Sequence, residues 1–366
     1  MTRTLILGAG NIGVAIAELL LSSGDYHVTV GDRDESRLGG VPDGVDIRRV
    51  DVADDGALRQ AIRGMDAVVS ACPFYLNVPI AQAARDLSVH YFDLTEDVET
   101  ACRVREVAAD ADTVFVPQCG LAPGFVSIVA YELARSFDSL RRVHMRVGAL
   151  PLFSSSSLKY NLTWSTAGLI NEYCNPCQAI YDGELREVLP LEGYEQFSLD
   201  GVTYEAFNTS GGLGTLCETL EGKVDNLNYK TIRYPGHRDL VKFLCRDLRL
   251  CKRRELFQDV LEHAVPTTTQ DVVLIFVTVS GEKNGKLVQE SYSHRVHYGR
   301  IGRLDLAAIQ IATAAALGAV LDLQREGRLP PKGFVKQEDV SLADFLANRF
   351  GKLYDEGGEG GPRPAP

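Results

Sequence analysis

Gly8, Gly10 and Gly13 stand on a G-x-G-x-x-G spacing between an apolar run, Thr4 to Leu7, and a helical pattern carried by Ile12, Ile16, Leu19 and Leu20. That spacing serves the cradling of a pyrophosphate. Gly8 permits the tight turn, Gly10 lets phosphates approach the backbone, and Gly13 lets the helix pack closely on the strand. The N–H groups of Asn11 and Ile12 then open the helix toward an anion. A second apolar run, His27 to Val30, delivers Asp32 about 20 residues beyond the glycines, where a carboxylate meets the adenosine ribose hydroxyls. The expected cofactor is NAD, because Asp32 repels a 2′-phosphate. Arg33 beside it could pair with one, which leaves NADP open.

The elements that position these residues alternate strand and helix through the first third of the chain. Asp46 to Val52, Ala67 to Cys72, Val89 to Leu94 and Thr113 to Val116 read as strands with helical patterns between them. Such alternation gives a parallel, doubly wound sheet, and ligands lie outside the carboxyl ends of its strands. Asp51 and the Cys72-Pro73 turn therefore join the cofactor set, with Tyr75, Asn77, Asp93 to Asp97 and Pro117 to Gly124 around it. Asp93, at the end of VHYFDL, is the best placed acid or base; its bland alternative is a strand-end or helix-cap hydrogen bond. Glu96 and Asp97 fit the first turn of a helix. Tyr75 reads as a proton donor or a packing aromatic, and Cys119 as a nicotinamide or substrate contact or an inert buried thiol.

A chain of 366 residues with 45% apolar content is long enough for two domains with cores of their own. A net charge of −11 with no long run of one sign gives no footprint for nucleic acid or anionic lipid, so a small-molecule partner is expected. No apolar run spans a membrane and no signal sequence precedes the first strand, which reads as cytoplasmic. The eight cysteines are then expected as free thiols. Cys174 and Cys177 form a C-x-x-C, but no second pair or nearby histidine completes a set, so no metal is expected.

Past Gly124 the pattern changes to strand-like runs: Val143 to Leu150, Leu158 to Trp164, Gln178 to Tyr181, Val202 to Phe207, Tyr229 to Tyr234, Val272 to Ser280 and Ser291 to Tyr298. Gly281 to Lys286 reads as a hairpin tip. An alanine-rich helix, Leu304 to Leu323, and an amphipathic one, Leu342 to Leu353, follow. The expected division is a dinucleotide-binding domain over 1–124, a mixed-sheet α/β domain over 125–302, helices returning to the first domain over 303–355, and a flexible tail over 356–366. In the second domain, Thr209 and Ser210 open a small-residue turn suited to an anionic group. Arg233 is a natural partner for a carboxylate, against the bland reading of a surface ion pair. His237 could act as a base, and Asn161 and Trp164 could wall a pocket.

GAGNIG with Asp32, VPQCGLAPG at Val116 to Gly124, YEAFNTSGGLGT at Tyr204 to Thr215 and KTIRYPGH at Lys230 to His237 together resemble the saccharopine dehydrogenase-like family, and within it the lysine 6-dehydrogenases. The likeness covers nearly the whole chain except the tail. It implies a Rossmann domain split by an inserted substrate and dimerisation domain, a homodimer, and oxidation of an amine or reduction of an imine of an amino acid with a nicotinamide cofactor. Saccharopine and carboxynorspermidine dehydrogenases belong to the same family, so the substrate does not follow from membership. An amine must lose its ammonium proton before it yields a hydride. Asp93 is expected to orient or deprotonate it, and Arg233 to hold the α-carboxylate of L-lysine. The alternatives are a saccharopine-type substrate and a non-catalytic nucleotide-binding protein.

Overall fold

The computed structural model describes residues 1–355. The tail over 356–366, expected to be flexible, lies outside the described residues.

The chain opens with β1 (Thr2–Leu7), α1 (Asn11–Ser22), β2 (Tyr26–Asp32), α2 (Glu35–Leu38), β3 (Asp46–Arg49), α3 (Asp55–Ile62), β4 (Ala67–Ser70), α4 (Asn77–Asp86), β5 (His90–Asp93), α5 (Val98–Ala108), β6 (Val114–Val116) and α6 (Phe125–Ala134). The next stretch holds β7 (Ser139–Pro151), α7 (Thr166–Cys174), β8 (Cys177–Tyr181), β9 (Glu184–Val188), β10 (Glu195–Leu199), β11 (Val202–Asn208), α8 (Leu216–Leu220), β12 (Val224–Arg233), α9 (His237–Lys242), α10 (Arg254–Ala264), β13 (Asp271–Lys283) and β14 (Lys286–His297). The chain ends with β15 (Gly299–Ile301), β16 (Leu304–Leu306), α11 (Ala308–Arg325), β17 (Gly333–Phe334) and α12 (Leu342–Ala347).

Two compact units result. The first contains residues 1–125, 300–306 and 310–355, and the second 126–299 and 307–309. In the first, the seven-stranded sheet has all its strand pairs parallel, in the order β17-β6-β5-β4-β1-β2-β3. The order reverses between β1 and β4, the switch point where a dinucleotide binds. Fully buried strand residues such as Leu5, Leu7, Val68 and Tyr91 pack with Ile62, Ile80 and Val104 from the flanking helices. Burial on both faces explains why these strands read as short apolar runs without alternation.

The second unit is built on a mixed sheet in the order β10-β11-β12-β7-β13-β14, with β8 paired to β12 and β9 to β8. Only β12 and β7 run parallel within that path. Helices α7 and α10 pack their apolar residues, Leu169, Ile170, Phe257 and Leu261, with Phe207 and Tyr160. The β13–β14 hairpin closes through Asn284 and Gly285, both at positive φ (53° and 71°), as the sequence suggests.

Four expectations fail. The amphipathic helix expected over Leu342 to Leu353 ends at Ala347, and a separate 3-10 turn follows at Gly351–Tyr354. Leu158 to Trp164 is irregular, apart from a single bridge from Leu162 to Thr267, because its rings fill the core beside α7. The long helix starts at Ala308 instead of Leu304: buried Asp271 accepts from the Ala308 and Ile309 N–H groups (2.5 and 3.2 Å), and Leu304–Leu306 pairs as β16 with β15. Cys174 and Cys251 are not free thiols but form a disulfide, with a Cα–Cα separation of 5.5 Å.

Candidate cofactor and substrate sites

In the first unit, each glycine of the loop after β1 has a separate physical reason. Gly8 lies at φ 107°, where a Cβ would also meet the Ala71 carbonyl oxygen at 2.7 Å. A Cβ on Gly13 would fall on the Gly8 carbonyl, so α1 can pack only with glycine there. On Gly10 a Cβ would meet nothing within 4 Å, which leaves that side of the loop clear for a ligand. No side chain caps the first N–H groups of α1, Asn11 and Ile12 among them. They are available to a pyrophosphate.

Asp32 is fixed from both sides, Oδ2 accepting from the Ala9 N–H at 2.8 Å and Oδ1 from the Asp34 N–H at 2.9 Å. Each oxygen keeps acceptor capacity for a ribose hydroxyl. Exposed Arg33 lines an open depression of about 550 Å³ with Asp34, Glu35, Arg49 and Asp51. There Arg49 lies 3.4 Å from Glu35, and Asp51 accepts from the Ala53 N–H in a turn. Past β4, burial and the charge of Asp32 push the Cys72 thiol up to about 12, so it remains a neutral wall beside exposed Pro73. Tyr75 is 65% exposed, lies edge-on to Phe74 and makes no hydrogen bond among the described residues.

Asp93 is a correction. It is completely buried; Oδ1 accepts from the N–H groups of Thr95 (2.9 Å) and Gln118 (3.0 Å), and Oδ2 from the Tyr91 hydroxyl (2.8 Å). The Cys119 N–H adds a bond to the Asp93 carbonyl at 2.9 Å. Asp93 thus knots the ends of β5 and β6 together and offers no surface to an amine, so it positions the loops and does not deprotonate a substrate. Cys119 is a second correction. Its thiol donates to the Val116 carbonyl (3.1 Å) and accepts from Gln337 Nε2 (3.2 Å), and burial raises its pKa, so no thiolate forms.

Glu96 contrasts with its neighbours. Asp97 caps α5 by accepting from the Thr100 N–H at 2.7 Å, and the Thr95 hydroxyl accepts from the Asp97 N–H. The Glu96 carboxylate accepts from its own backbone N–H and bonds to no other residue among the described ones. It is half-buried, and burial, with Asp97 and Asp93 nearby, raises its pKa. A dinucleotide that sets its adenosine ribose on Asp32 at β2 extends across the switch point toward β4 and β5, where this carboxylate lies. The expectation of a helix first turn hid it in the sequence; α5 begins at Val98 with Asp97 as its cap, which leaves Glu96 in the loop before it.

In the second unit, two of the family-specific sequence runs meet. Buried Glu205, on β11, accepts from the N–H groups of Gly236 (2.8 Å) and Arg238 (2.6 Å), which fixes the Pro-Gly-His turn after β12. A Cβ on Gly212 would fall within the Tyr229 ring. Arg233 is 3% exposed. Its guanidinium lies 4.8 Å over the Tyr160 ring, Nη2 is 3.7 Å from Glu172, Nε donates to the Tyr173 hydroxyl (3.1 Å) and Nη1 to the Ile232 carbonyl (2.9 Å). Two of its five N–H donors are engaged in hydrogen bonds. It is not a surface ion pair.

His237 is corrected from base to structural link. Its Nδ1 donates to the Leu158 carbonyl (2.8 Å), which leaves Nε2 to accept from Tyr173 (2.9 Å). Burial and Arg233 lower its pKa to about 3, so the ring stays neutral. Ser210 is likewise committed: its N–H and hydroxyl donate to the Glu172 and Asn171 carbonyls at the end of α7 (3.1 and 2.9 Å). Thr209 Oγ1 and Asn161 Oδ1 are buried and make no hydrogen bond among the described residues, so both retain capacity for a ligand. Trp164 donates to the Tyr160 hydroxyl at 3.2 Å.

The first unit is therefore a nicotinamide-dinucleotide-binding Rossmann domain. Residues 4–116 match the model of the saccharopine dehydrogenase NADP binding domain, and residues 120–357 that of the saccharopine dehydrogenase C-terminal domain. The chain belongs to the saccharopine dehydrogenase family. It is 22% identical over 310 residues to the mitochondrial alpha-aminoadipic semialdehyde synthase of Rattus norvegicus, covering 79% of this chain and 32% of that protein. It is 25% identical over 285 residues to the NADP(+), L-glutamate-forming saccharopine dehydrogenase of Pyricularia oryzae, covering 74% and 62%. The chain thus spans about a third of the length of the synthase. The structure of apo saccharopine dehydrogenase (L-Glu forming) from Saccharomyces cerevisiae superposes with a TM-score of 0.79 at 16% identity over 97% of this chain and 98% of that one. A homospermidine synthase from Legionella pneumophila in complex with NAD superposes with a TM-score of 0.68 at 14% identity, over 96% and 89%. Both likenesses show the fold. Among the described residues no helix is long and apolar enough to cross a membrane.

Proposed function

We propose that the chain is an NAD(P)-dependent oxidoreductase acting on the C–N bond of an amino acid, and that its reaction is the oxidative deamination of L-lysine at the ε-amine to the semialdehyde, which cyclises. The observation that carries this reading is Glu96, the acidic group of the loop after β5 whose carboxylate is tied to no residue but its own backbone N–H, at the edge of the sheet where a nicotinamide is expected. A nicotinamide dinucleotide with its pyrophosphate at the glycine loop would supply hydride acceptance. Glu96 takes the proton that the ammonium must lose, and Asp93, through Tyr91, Thr95 and Gln118, holds the loop in place. In the second unit Arg233 is proposed to hold the α-carboxylate, with Glu172 beside it as the match for the α-ammonium.

A second reading, oxidation of saccharopine to lysine-derived semialdehyde and glutamate, is favoured by the names of the relatives. Saccharopine carries three carboxylates and calls for several cations. The charge of Arg233 is already balanced by Glu172; Lys230 pairs with Glu195 at 3.4 Å, and Lys159 donates to the Pro235 carbonyl at 3.0 Å. The smaller, net-positive substrate therefore leads. A panel of lysine, other diamino acids and saccharopine, with NAD and NADP, followed at the nicotinamide absorbance at about pH 9 to 10, where the ε-amine begins to deprotonate, tests both. Lysine with NAD is expected to give the highest efficiency, and Asp32→Ala to narrow the preference over NADP. Turnover of saccharopine but not lysine would replace this reading by the second.

A further inference from the structure

Cys174 is the last residue of α7, directly after Glu172 and Tyr173, the two side chains that hold Arg233. It is bonded to Cys251, and a third sulfur, that of Cys245, completes a group in which all three lie within 4.8 Å of one another. Cys245 sits in a π-helical turn, Phe243–Asp247, a backbone form that recurs at functional sites. Cys174 and Cys251 are half-buried, whereas Cys245 is 7% exposed and is a free thiol. A permanent structural bridge has no need of a third thiol at exchange distance.

We infer that Cys174, Cys251 and Cys245 form a thiol–disulfide exchange site in which Cys245 displaces Cys174 from Cys251 and so releases the end of α7 that carries the partners of Arg233. The Cys245 thiol gives its proton to solvent, and its thiolate attacks Cys251 Sγ. The Cys174–Cys251 bond breaks as the Cys245–Cys251 bond forms, and Cys174 leaves as a thiolate that takes up a proton. One disulfide and one thiol are present before and after, so no outside oxidant or reductant enters. Cys245 and Cys251 lie on one short segment, so the new bridge no longer ties that segment to α7. After exchange that end keeps the Arg254 contacts to Asn171 and Asn175 and the Ser210 bonds. Burial pushes the Cys245 thiol up to about 11, with Arg246 opposing, so exchange accelerates as pH rises toward that value.

The exchange stands without any assignment of substrate; its effect on catalysis rests on the proposed role of Arg233. The full chain, prepared without reductant, is held at about pH 7 or about pH 10, quenched with acid, alkylated, digested and mapped by mass spectrometry. The expected result is a Cys245–Cys251 peptide and alkylated Cys174, both increasing at the higher pH and both absent in Cys245→Ser, which keeps NADH binding by fluorescence. Recovery of Cys174–Cys251 as the sole bridge under both conditions overturns the site, and a Cys174–Cys245 bridge overturns the assigned direction. The exchanged form, returned to assay conditions, should show an amino acid KM raised about fivefold or more, as for a weakened contact to a charged group, with unchanged NADH affinity. Exchange without that rise would refute the coupling to Arg233 and leave the exchange site standing.

Discussion

Glu96 and Asp93 stand three positions apart and differ in what surrounds them. With Asp93 engaged by three donors, Glu96→Gln should lower kcat about 100-fold, the usual worth of general base catalysis, while NADH still binds. Because its carboxyl is raised, the protonated, inactive form persists above the usual carboxylate range. The rate of the parent protein should climb with pH through that limb, and the limb should vanish in the variant. Equal pH profiles would remove Glu96 from catalysis. Arg233→Lys keeps the buried charge opposite Glu172 but loses the planar fork; the amino acid KM should rise about tenfold with NADH affinity unmoved. A KM within experimental error of the parent's would exclude the carboxylate role. The sequence places Asp93 correctly at a strand end beside the cofactor region. What it does not carry is the N–H of Gln118, which arrives from a different strand and turns the aspartate into a structural knot.

Among the elements, α11 depends on one buried carboxylate. Asp322 accepts from the Tyr26 hydroxyl on β2, from Arg325, from Asn348 Nδ2 and twice from Arg349, at 2.8 to 3.0 Å. Burial opposes its charge, but the bonds from Arg349, Asn348, Tyr26 and Arg325 outweigh that and hold its pKa below the ordinary value. A carboxyl depressed in the folded state stabilises fully above its unfolded pKa, and that stability is lost as pH falls through the lower folded value. Asp322→Asn should therefore cost about 3 kcal/mol in urea unfolding at neutral pH and much less once the parent's Asp322 is protonated. An equal loss at both pH values would show that packing, not charge, sets the effect. Elements were legible where local rules determine them: the strand-turn-helix at Gly8, Gly10 and Gly13, and the Asn284-Gly285 hairpin. β9 and β10 were not, because they are short, largely polar strands with little buried surface, and the Cys174–Cys251 bridge joins residues 77 apart.

At the scale of the whole molecule, the two family models meet between residues 116 and 120, whereas the compact units do not follow that division: residues 300–306 and 310–355 return to the unit that carries the glycine loop, and Arg233 lies in the other. The sequence runs that suggest the family are those in which one residue type alone fits: Gly13 against the Gly8 carbonyl, Gly212 against Tyr229, and Glu205 under the Pro-Gly-His turn. Fold and cofactor follow from such positions, since steric demands leave a trace at a single site. The identity of the proton acceptor does not, since it depends on which polar groups remain uncommitted after folding. The central claim, oxidation of lysine at its ε carbon by a nicotinamide bound to this chain, is tested most directly with L-lysine deuterated at that carbon. The account predicts NADH carrying one deuterium by mass spectrometry and a slower turnover than with unlabelled lysine. NADH formed without deuterium, or no NADH at all from lysine, would contradict it.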